Sequence, residues 1–127
     1  MDWQTPQALY EMLDDEFGFD FDPCPTDPEF DGLAVEWGRS NFVNPPYGTH
    51  LPKWIAKAHI EAAKGKTVVL LIPSRTDTRW WHEHVMTADE VRYIKGRLTF
   101  QGAKHPASFP SCVVVWRGTC HGRLPRP

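Results

Sequence analysis

The sequence has little of what marks secreted, membrane or hydrolytic proteins. No apolar run approaches the ~20 residues that a membrane span needs, and Asp2 and Gln4 stand where a signal peptide would be basic and then apolar. Its three cysteines, Cys24, Cys112 and Cys120, follow no paired spacing, which indicates reduced thiols and a cytoplasmic setting. The hydrolase pattern G-x-S-x-G is also missing.

Metal-ligand spacing is equally scarce. His82 and His84 lie two residues apart on a predicted helix, so their side chains should diverge. Cys120 and His121 stand without a second ligand pair. We therefore expect no metal site.

Charge is present but unevenly distributed along the 127 residues. Residues 1–40 hold eleven acids and one base, whereas residues 41–127 hold thirteen bases and five acids. A basic segment of this kind is typical of proteins that bind nucleic acid. An uneven distribution of ordinary surface charge would explain it as well.

Capping signals and the 3.6-residue apolar period predict three helices. The first has Thr5 as its N-cap, Pro6 at its first helical position and Gly18 as its stop. The second covers 51–62 and turns Glu61 to the solvated side. The third covers 77–87.

Strand signals alternate with these helices. Residues 19–22 alternate apolar and polar, and the continuous apolar run at 67–72 is typical of a strand buried on both faces. Further short strands are predicted at 42–43, 91–94, 97–100 and 112–116. The sequence therefore predicts one α/β domain over 1–117, followed by a loose basic tail at 118–127.

The strongest chemical signal is Asn44-Pro45-Pro46-Tyr47, directly after a predicted strand. The Asn44 side-chain oxygen and the Pro45 carbonyl are acceptors on a stiff backbone, so together they can hold the two hydrogens of a planar amine. Tyr47 offers a face on which a base can stack. The alternative is a rigid turn between a strand and a helix.

This tetrapeptide resembles the signature of S-adenosylmethionine-dependent methyltransferases that act on amino groups of adenine, cytosine or a glutamine amide. The wider pattern is similar to phage-type DNA N6-adenine methyltransferases. The segments that carry the resemblance are Trp3–Pro6, Phe19–Asp22, Asp31–Leu33, Trp37, Asn44–Tyr47, Leu71–Trp81 and Ile94–Phe100.

The resemblance implies a compact Rossmann-like sheet with helices on both faces, and it implies roles for individual residues. The implied catalytic, amine-holding residues are Asn44, Pro45, Pro46 and Tyr47. The implied S-adenosylmethionine-binding residues are Thr5, Pro6, Asp22, Pro23 and Cys24, with Asp31 either holding the ribose or solvating a loop.

DNA is the implied partner, in a bacterial host cell and encoded by a phage or prophage. The candidate DNA contacts are Arg75, Asp77, Trp80, Lys95 and Arg97, with Lys104 as a further phosphate contact. A solvated charged face explains the basic residues equally well, and Arg75 and Asp77 could instead pair with each other. One tryptophan of Trp80-Trp81 should be core, because adjacent helical residues point about 100° apart.

One departure from the wider superfamily keeps alternatives open. The glycine-rich turn expected after the first strand is replaced by Pro25-Thr26-Asp27-Pro28. A catalytically inactive DNA-binding relative is therefore one alternative, and cytosine N4, RNA or a protein glutamine as acceptor is another. A further alternative is that the chain forms a homodimer, which would contact more base pairs than a single domain does.

The charge distribution predicts that DNA affinity falls steeply with salt, because phosphate contacts release counterions. S-adenosylmethionine affinity should change much less. Binding isotherms for both ligands between about 50 and 200 mM salt test this, with an expected DNA affinity loss of about tenfold or more. DNA binding that is insensitive to salt would contradict the charge argument.

Overall fold

The protein is described here by a computed structural model that covers residues 4–25 and 29–118. Most of the predicted basic tail, with Cys120 and His121, lies outside the described residues, as does Trp3. Within the described part the elements are α1 (Gln7–Phe17), β1 (Ser40–Val43), α2 (Leu51–Ala63), β2 (Thr67–Pro73), α3 (Arg79–Glu83), a 3₁₀ turn (Val85–Thr87), β3 (Glu90–Tyr93) and β4 (Ser111–Trp116).

The strands form one mixed sheet in the order β1-β2-β4-β3. β1 pairs with β2 in parallel, and β4 lies antiparallel to both β2 and β3. Every residue of β2 is buried, as its apolar run predicts, because the central strand is covered on both faces.

Helices cover both faces of the sheet. On one face, α2 and α3 pack through Ile55 and Trp81 against a cluster that includes Leu70 and Val114. On the other face, Leu13 of α1 joins a second cluster with the loop that connects β3 to β4. The predicted α/β class with helices on both faces is confirmed at this level.

Several predicted elements are wrong in extent. Residues 97–100 are not a strand, because this segment folds over the sheet face and buries Phe100, and Ala107 N–H donates to the Leu98 carbonyl at 2.7 Å. The strand at 19–22 reduces to a single parallel bridge from Phe21 to Asn41.

The predicted helix at 77–87 breaks at His84, whose backbone leaves helical geometry (φ −123°, ψ −52°). Its ring meets the His59 ring, with 2.9 Å between the two Nδ1 atoms. Here the chain turns so that His84 contacts α2, and the third helix ends at Glu83 instead of continuing to residue 87.

Glu61 corrects the predicted polar face of α2, since its side chain is 0% exposed. The carboxylate accepts hydrogen bonds from Lys57, Lys64 and Lys66, and from the Trp37 backbone N–H at 3.0 Å. Burial alone would raise the pKa of Glu61, but these donors outweigh it and lower the pKa to about 2. The cluster fastens the segment before β1 to α2.

We predict that Glu61→Gln lowers the free energy of unfolding by about 3 kcal/mol at pH 7, since it removes the buried carboxylate whose pKa the surrounding lysines and the Trp37 N–H lower to about 2. Urea unfolding measures the change. Glu83→Gln, which removes an exposed partner of Arg79, should cost under about 1 kcal/mol.

The same substitution has a pH signature. The pKa of Glu61 falls from 4.5 to about 2 on folding, so its contribution is complete above pH 4.5 and is lost as the pH drops towards 2. Glu61→Gln should therefore flatten the acid limb of the stability curve. An unchanged acid limb would show that the cluster does not act as described.

Candidate active site

Three chain segments run in parallel and end at the same edge of the sheet. Phe21 forms a parallel bridge with Asn41, and β1 in turn pairs in parallel with β2. The residues that follow these segments, Asp22, Asn44 and Ser74, therefore lie along one edge. Open α/β sheets bind ligands outside the carboxyl ends of their strands, which makes this edge the candidate site.

Asn44 is the first residue after β1, and its side chain is half-buried. Its Nδ2 donates a hydrogen bond to Thr5 Oγ1 at 3.1 Å. Pro45 is buried and Pro46 half-buried, so the backbone after Asn44 has little freedom. The predicted tetrapeptide thus sits rigidly at the sheet edge.

Thr5 does not cap α1, which corrects the capping prediction. The N-cap position is Pro6, and no side chain caps the first turn. The Thr5 hydroxyl is directed to Asn44 instead. The structure therefore brings together two predicted site residues that lie 39 positions apart in the chain.

Tyr47 is half-buried and contacts both core clusters. Its hydroxyl lies 3.4 Å from the Leu71 carbonyl oxygen, to which it donates a long hydrogen bond. Burial raises the pKa of Tyr47 well above its ordinary value, and the nearby Cys112 thiol acts in the same direction. Tyr47 therefore stays protonated near neutral pH and is unsuited to act as a base.

The sequence reasoning missed Phe109, which stands beside Tyr47 with ring centroids 5.3 Å apart and the rings nearly perpendicular. Phe100 contacts Tyr47 in the same manner at 6.2 Å. The guanidinium of Arg75 lies 6.0 Å from the Phe109 ring centroid, within cation–π range. The sequence does show an aromatic residue just before β4. Its place in the site could not be predicted without knowing that β4 begins at the edge of the sheet where β2 ends.

Ser111 adds a polar group at this edge. It lies opposite Pro73 in the β2–β4 register, and its side chain is buried. Among the described residues, Ser111 Oγ has no hydrogen-bond partner. Strand alternation puts it on the same face as Val113 and Val115, the face that the β3–β4 loop covers.

The predicted cofactor segment forms a turn beside the tetrapeptide. The Asp22 carboxylate accepts a hydrogen bond from the Cys24 N–H at 2.9 Å. Partial desolvation raises the pKa of Asp22, and this effect outweighs the hydrogen bond, which lowers it. Pro23 is buried against Gly32, where an added Cβ would overlap the Pro23 carbonyl oxygen.

Asp31 precedes this close approach, so it lies next to the Asp22–Cys24 turn. Its carboxylate accepts from the Leu33 N–H at 3.0 Å, and the residue is exposed. Two acidic side chains therefore flank one turn, which suits a ligand of net positive charge. A role for Asp31 towards a ribose stays a prediction.

The predicted DNA contacts lie in two segments, one that runs from the end of β2 into α3 and one on the loop between β3 and β4. Arg75 follows β2 at the site edge, and within the described part of the chain it forms no ion pair with Asp77. Trp81 is the buried member of the tryptophan pair, as predicted, while Trp80 is half-buried against the α2–α3 side. Lys95 and Arg97 are exposed on the loop after β3, and so is Lys104 farther along it.

Histidine side chains contact the backbone or one another. His82 Nε2 contacts the Thr76 carbonyl at 2.9 Å, whereas His84 meets His59. Across residues 4–25 and 29–118, no three His, Cys, Asp or Glu side chains come together as metal ligands. Nor does any helix in those ranges have the length and apolar character to cross a membrane.

A cleft of about 480 Å³ lies at the opposite edge, where β1 and β2 begin at Ser40 and Thr67. Its charged lining includes Glu16 and Arg117, and Arg117 pairs with Glu90 at 2.7 Å. This cleft is remote from the residues that follow the strands, so the candidate site remains at the carboxyl edge.

Comparison with known proteins gives a consistent result. A family model described as DNA N-6-adenine-methyltransferase (Dam) matches residues 2–117. The chain is 30% identical over 112 residues to the DNA N-6-adenine-methyltransferase of Haemophilus phage HP1, covering 77% of this chain and 65% of that protein. It is 27% identical over 111 residues to the protein of the same name from Escherichia phage T1, covering 76% and 46%.

The chain thus spans about half to two-thirds of the length of these relatives. No solved structure matches.

We predict that Gly32→Ala costs about 3 kcal/mol of unfolding free energy, because the new Cβ overlaps the Pro23 carbonyl and meets the Trp54 ring at 2.6 Å. Gly96→Ala is the control, since its positive φ of 75° adds strain but no atom lies within 4 Å; it should cost about 1 kcal/mol. Urea unfolding compares the two. Equal costs would contradict the packing of Gly32 on the Asp22–Cys24 turn.

Proposed function

The chain belongs to the DNA N-6-adenine-methyltransferase family, and from that premise we propose that it transfers a methyl group from S-adenosylmethionine to the N6 amine of adenine in DNA. The observation that carries this proposal is the position of Asn44 at the carboxyl edge of the sheet. On one side of it lies the Asp22–Cys24 turn, and on the other lie the aromatic rings of Tyr47 and Phe109, which we call the aromatic wall. On this proposal the sheet serves as a reduced Rossmann-like methyltransferase sheet over residues 1–117.

The target adenine must leave the duplex, because its amine is otherwise engaged in pairing and stacking. Tyr47, with Phe109 beside it, offers the aromatic surface against which the base is held. Arg75, whose guanidinium lies beside Phe109, is proposed to contact a phosphate or to stack on a neighbouring base. Asp77, Trp80, Lys95 and Arg97 are proposed to extend this contact along the DNA.

Asn44 and the Pro45 carbonyl are proposed to accept the two hydrogens of N6. Both acceptors draw the N6 lone pair out of the ring system and direct it towards the methyl group. As positive charge develops on N6, these oxygens stabilise it, and the proton can leave afterwards without a strong base. The raised pKa of Tyr47 accords with a role in holding the base rather than in moving a proton.

When bound, S-adenosylmethionine supplies an electrophilic methyl group on a positively charged sulfur. The residues present fit this ligand, since the carboxylates of Asp22 and Asp31 flank one turn and Gly32 lets the backbone pack closely there. We propose that Pro6, Asp22, Pro23, Cys24 and Asp31 line its site. This chain has no glycine-rich turn directly after the first strand; instead, Gly32 lets the backbone approach the Pro23 carbonyl closely.

The relatives named above are phage proteins, and we propose that this chain acts likewise on DNA inside a bacterial cell. A single domain of this size contacts few base pairs. A homodimer that extends this contact stays a prediction.

We predict that Asn44→Ala lowers the rate of methyl transfer to DNA at least a hundredfold, because the amine loses a fixed acceptor in the transition state. Radiolabelled S-adenosylmethionine and mixed-sequence DNA provide the assay. Gln7→Ala, which removes an exposed amide on α1, is the matched control and should retain the full rate.

Two outcomes would contradict the proposal. Methyl transfer by Asn44→Ala at the unsubstituted rate would show that the amine is held elsewhere. Calorimetry that finds no S-adenosylmethionine binding to the unsubstituted chain would favour the inactive DNA-binding alternative.

A further inference from the structure

Thr5 contacts the proposed catalytic amide directly. Its Oγ1 accepts a hydrogen bond from Asn44 Nδ2 at 3.1 Å, and it takes no part in capping α1. We propose, on the basis of the proposed function, that Thr5 is a positioning residue that holds the Asn44 amide in place at the sheet edge, with Nδ2 towards Thr5 and Oδ1 towards the adenine amine. With Nδ2 held by Thr5, the acceptor Oδ1 is the end turned away from Thr5.

The orientation matters because the two ends of an amide have opposite hydrogen-bonding roles. In the orientation held by Thr5, Oδ1 accepts an N6 hydrogen and frees the lone pair to attack. In the reversed orientation, Nδ2 would donate to that same lone pair and occupy the electrons that must form the new N–C bond. A reversed amide would therefore still contact the base but would not support transfer.

Thr5 is held in place independently of Asn44. The backbone on its amino side is fastened to the β3–β4 loop, since Gln101 N–H donates to the Gln4 carbonyl at 3.0 Å. On its other side, Pro6 opens α1, where Tyr10 N–H donates to the Pro6 carbonyl at 3.1 Å. The hydroxyl thus approaches Asn44 from an anchored segment, which is what a positioning residue requires.

The competing role for Thr5 is a direct contact with the cofactor, as the sequence resemblance implies for this segment. The two roles separate kinetically. A lost cofactor contact raises the dissociation constant for S-adenosylmethionine, whereas a misoriented amide lowers kcat while both ligands still bind.

The test is Thr5→Val, which keeps the branched shape and removes the hydroxyl. We expect a kcat about five- to tenfold lower, the size expected for one lost hydrogen bond. The calorimetric dissociation constant for S-adenosylmethionine and the KM for DNA should change less than about twofold. Thr5→Ser should restore most of kcat, and Thr99→Val, at an exposed threonine, should match the unsubstituted chain.

An unchanged kcat in Thr5→Val would overturn the inference, as would a loss explained entirely by weaker cofactor binding. Failure of the unsubstituted chain to methylate DNA would instead overturn the proposed function, so the two failures are distinguishable. Urea unfolding of each variant shows whether a loss of kcat reflects a loss of folded protein.

Discussion

β1 lies parallel to β2, with Ser40 opposite Thr67 and Val43 opposite Leu70, and the position of the candidate site follows from where these strands end. Parallel pairing puts Asn44 at the same edge as the Asp22 turn and the Arg75 segment. Because β4 runs antiparallel to β2, its first residue also lies at this edge, and Phe109 comes with it. One sheet edge thus gathers residues that are scattered over most of the chain.

A strand of four residues needs help to hold this register, and buried polar groups supply it. The fully buried Asn41 donates to the Thr67 carbonyl at 3.1 Å and to the Gly38 carbonyl at 2.9 Å, and accepts from the Gly38 N–H at 2.8 Å. Glu61 fastens the preceding Trp37 backbone to α2. Both groups act at the start of β1, where they hold its register on β2, and that register sets the position of Asn44 at the other end of the strand.

Much of the fold could be predicted from local patterns, because apolar periodicity reports burial directly. The run at β2 and the period of α2 gave nearly correct bounds. The errors came where tertiary contacts prevail: Glu61 is buried because lysines and the Trp37 backbone converge on it, and residues 97–100 pack on a sheet face instead of joining its edge.

The candidate site divides in the same way. Asn44–Tyr47 could be found because its chemistry lies in four consecutive residues. The contact of Thr5 with Asn44 and the wall formed by Phe109 depend on strand order, which no local pattern reveals. Thr5 in particular carries an ordinary capping signal that the folded chain uses for a different contact.

The central claim is that this sheet edge directs a methyl group to the exocyclic amine of adenine. The most direct test is mass spectrometry of nucleosides from mixed-sequence DNA incubated with the protein and methyl-labelled S-adenosylmethionine. We expect labelled N6-methyl-2′-deoxyadenosine and no labelled N4-methyl-2′-deoxycytidine. Label on cytosine, or on no base at all while the cofactor binds, would contradict it.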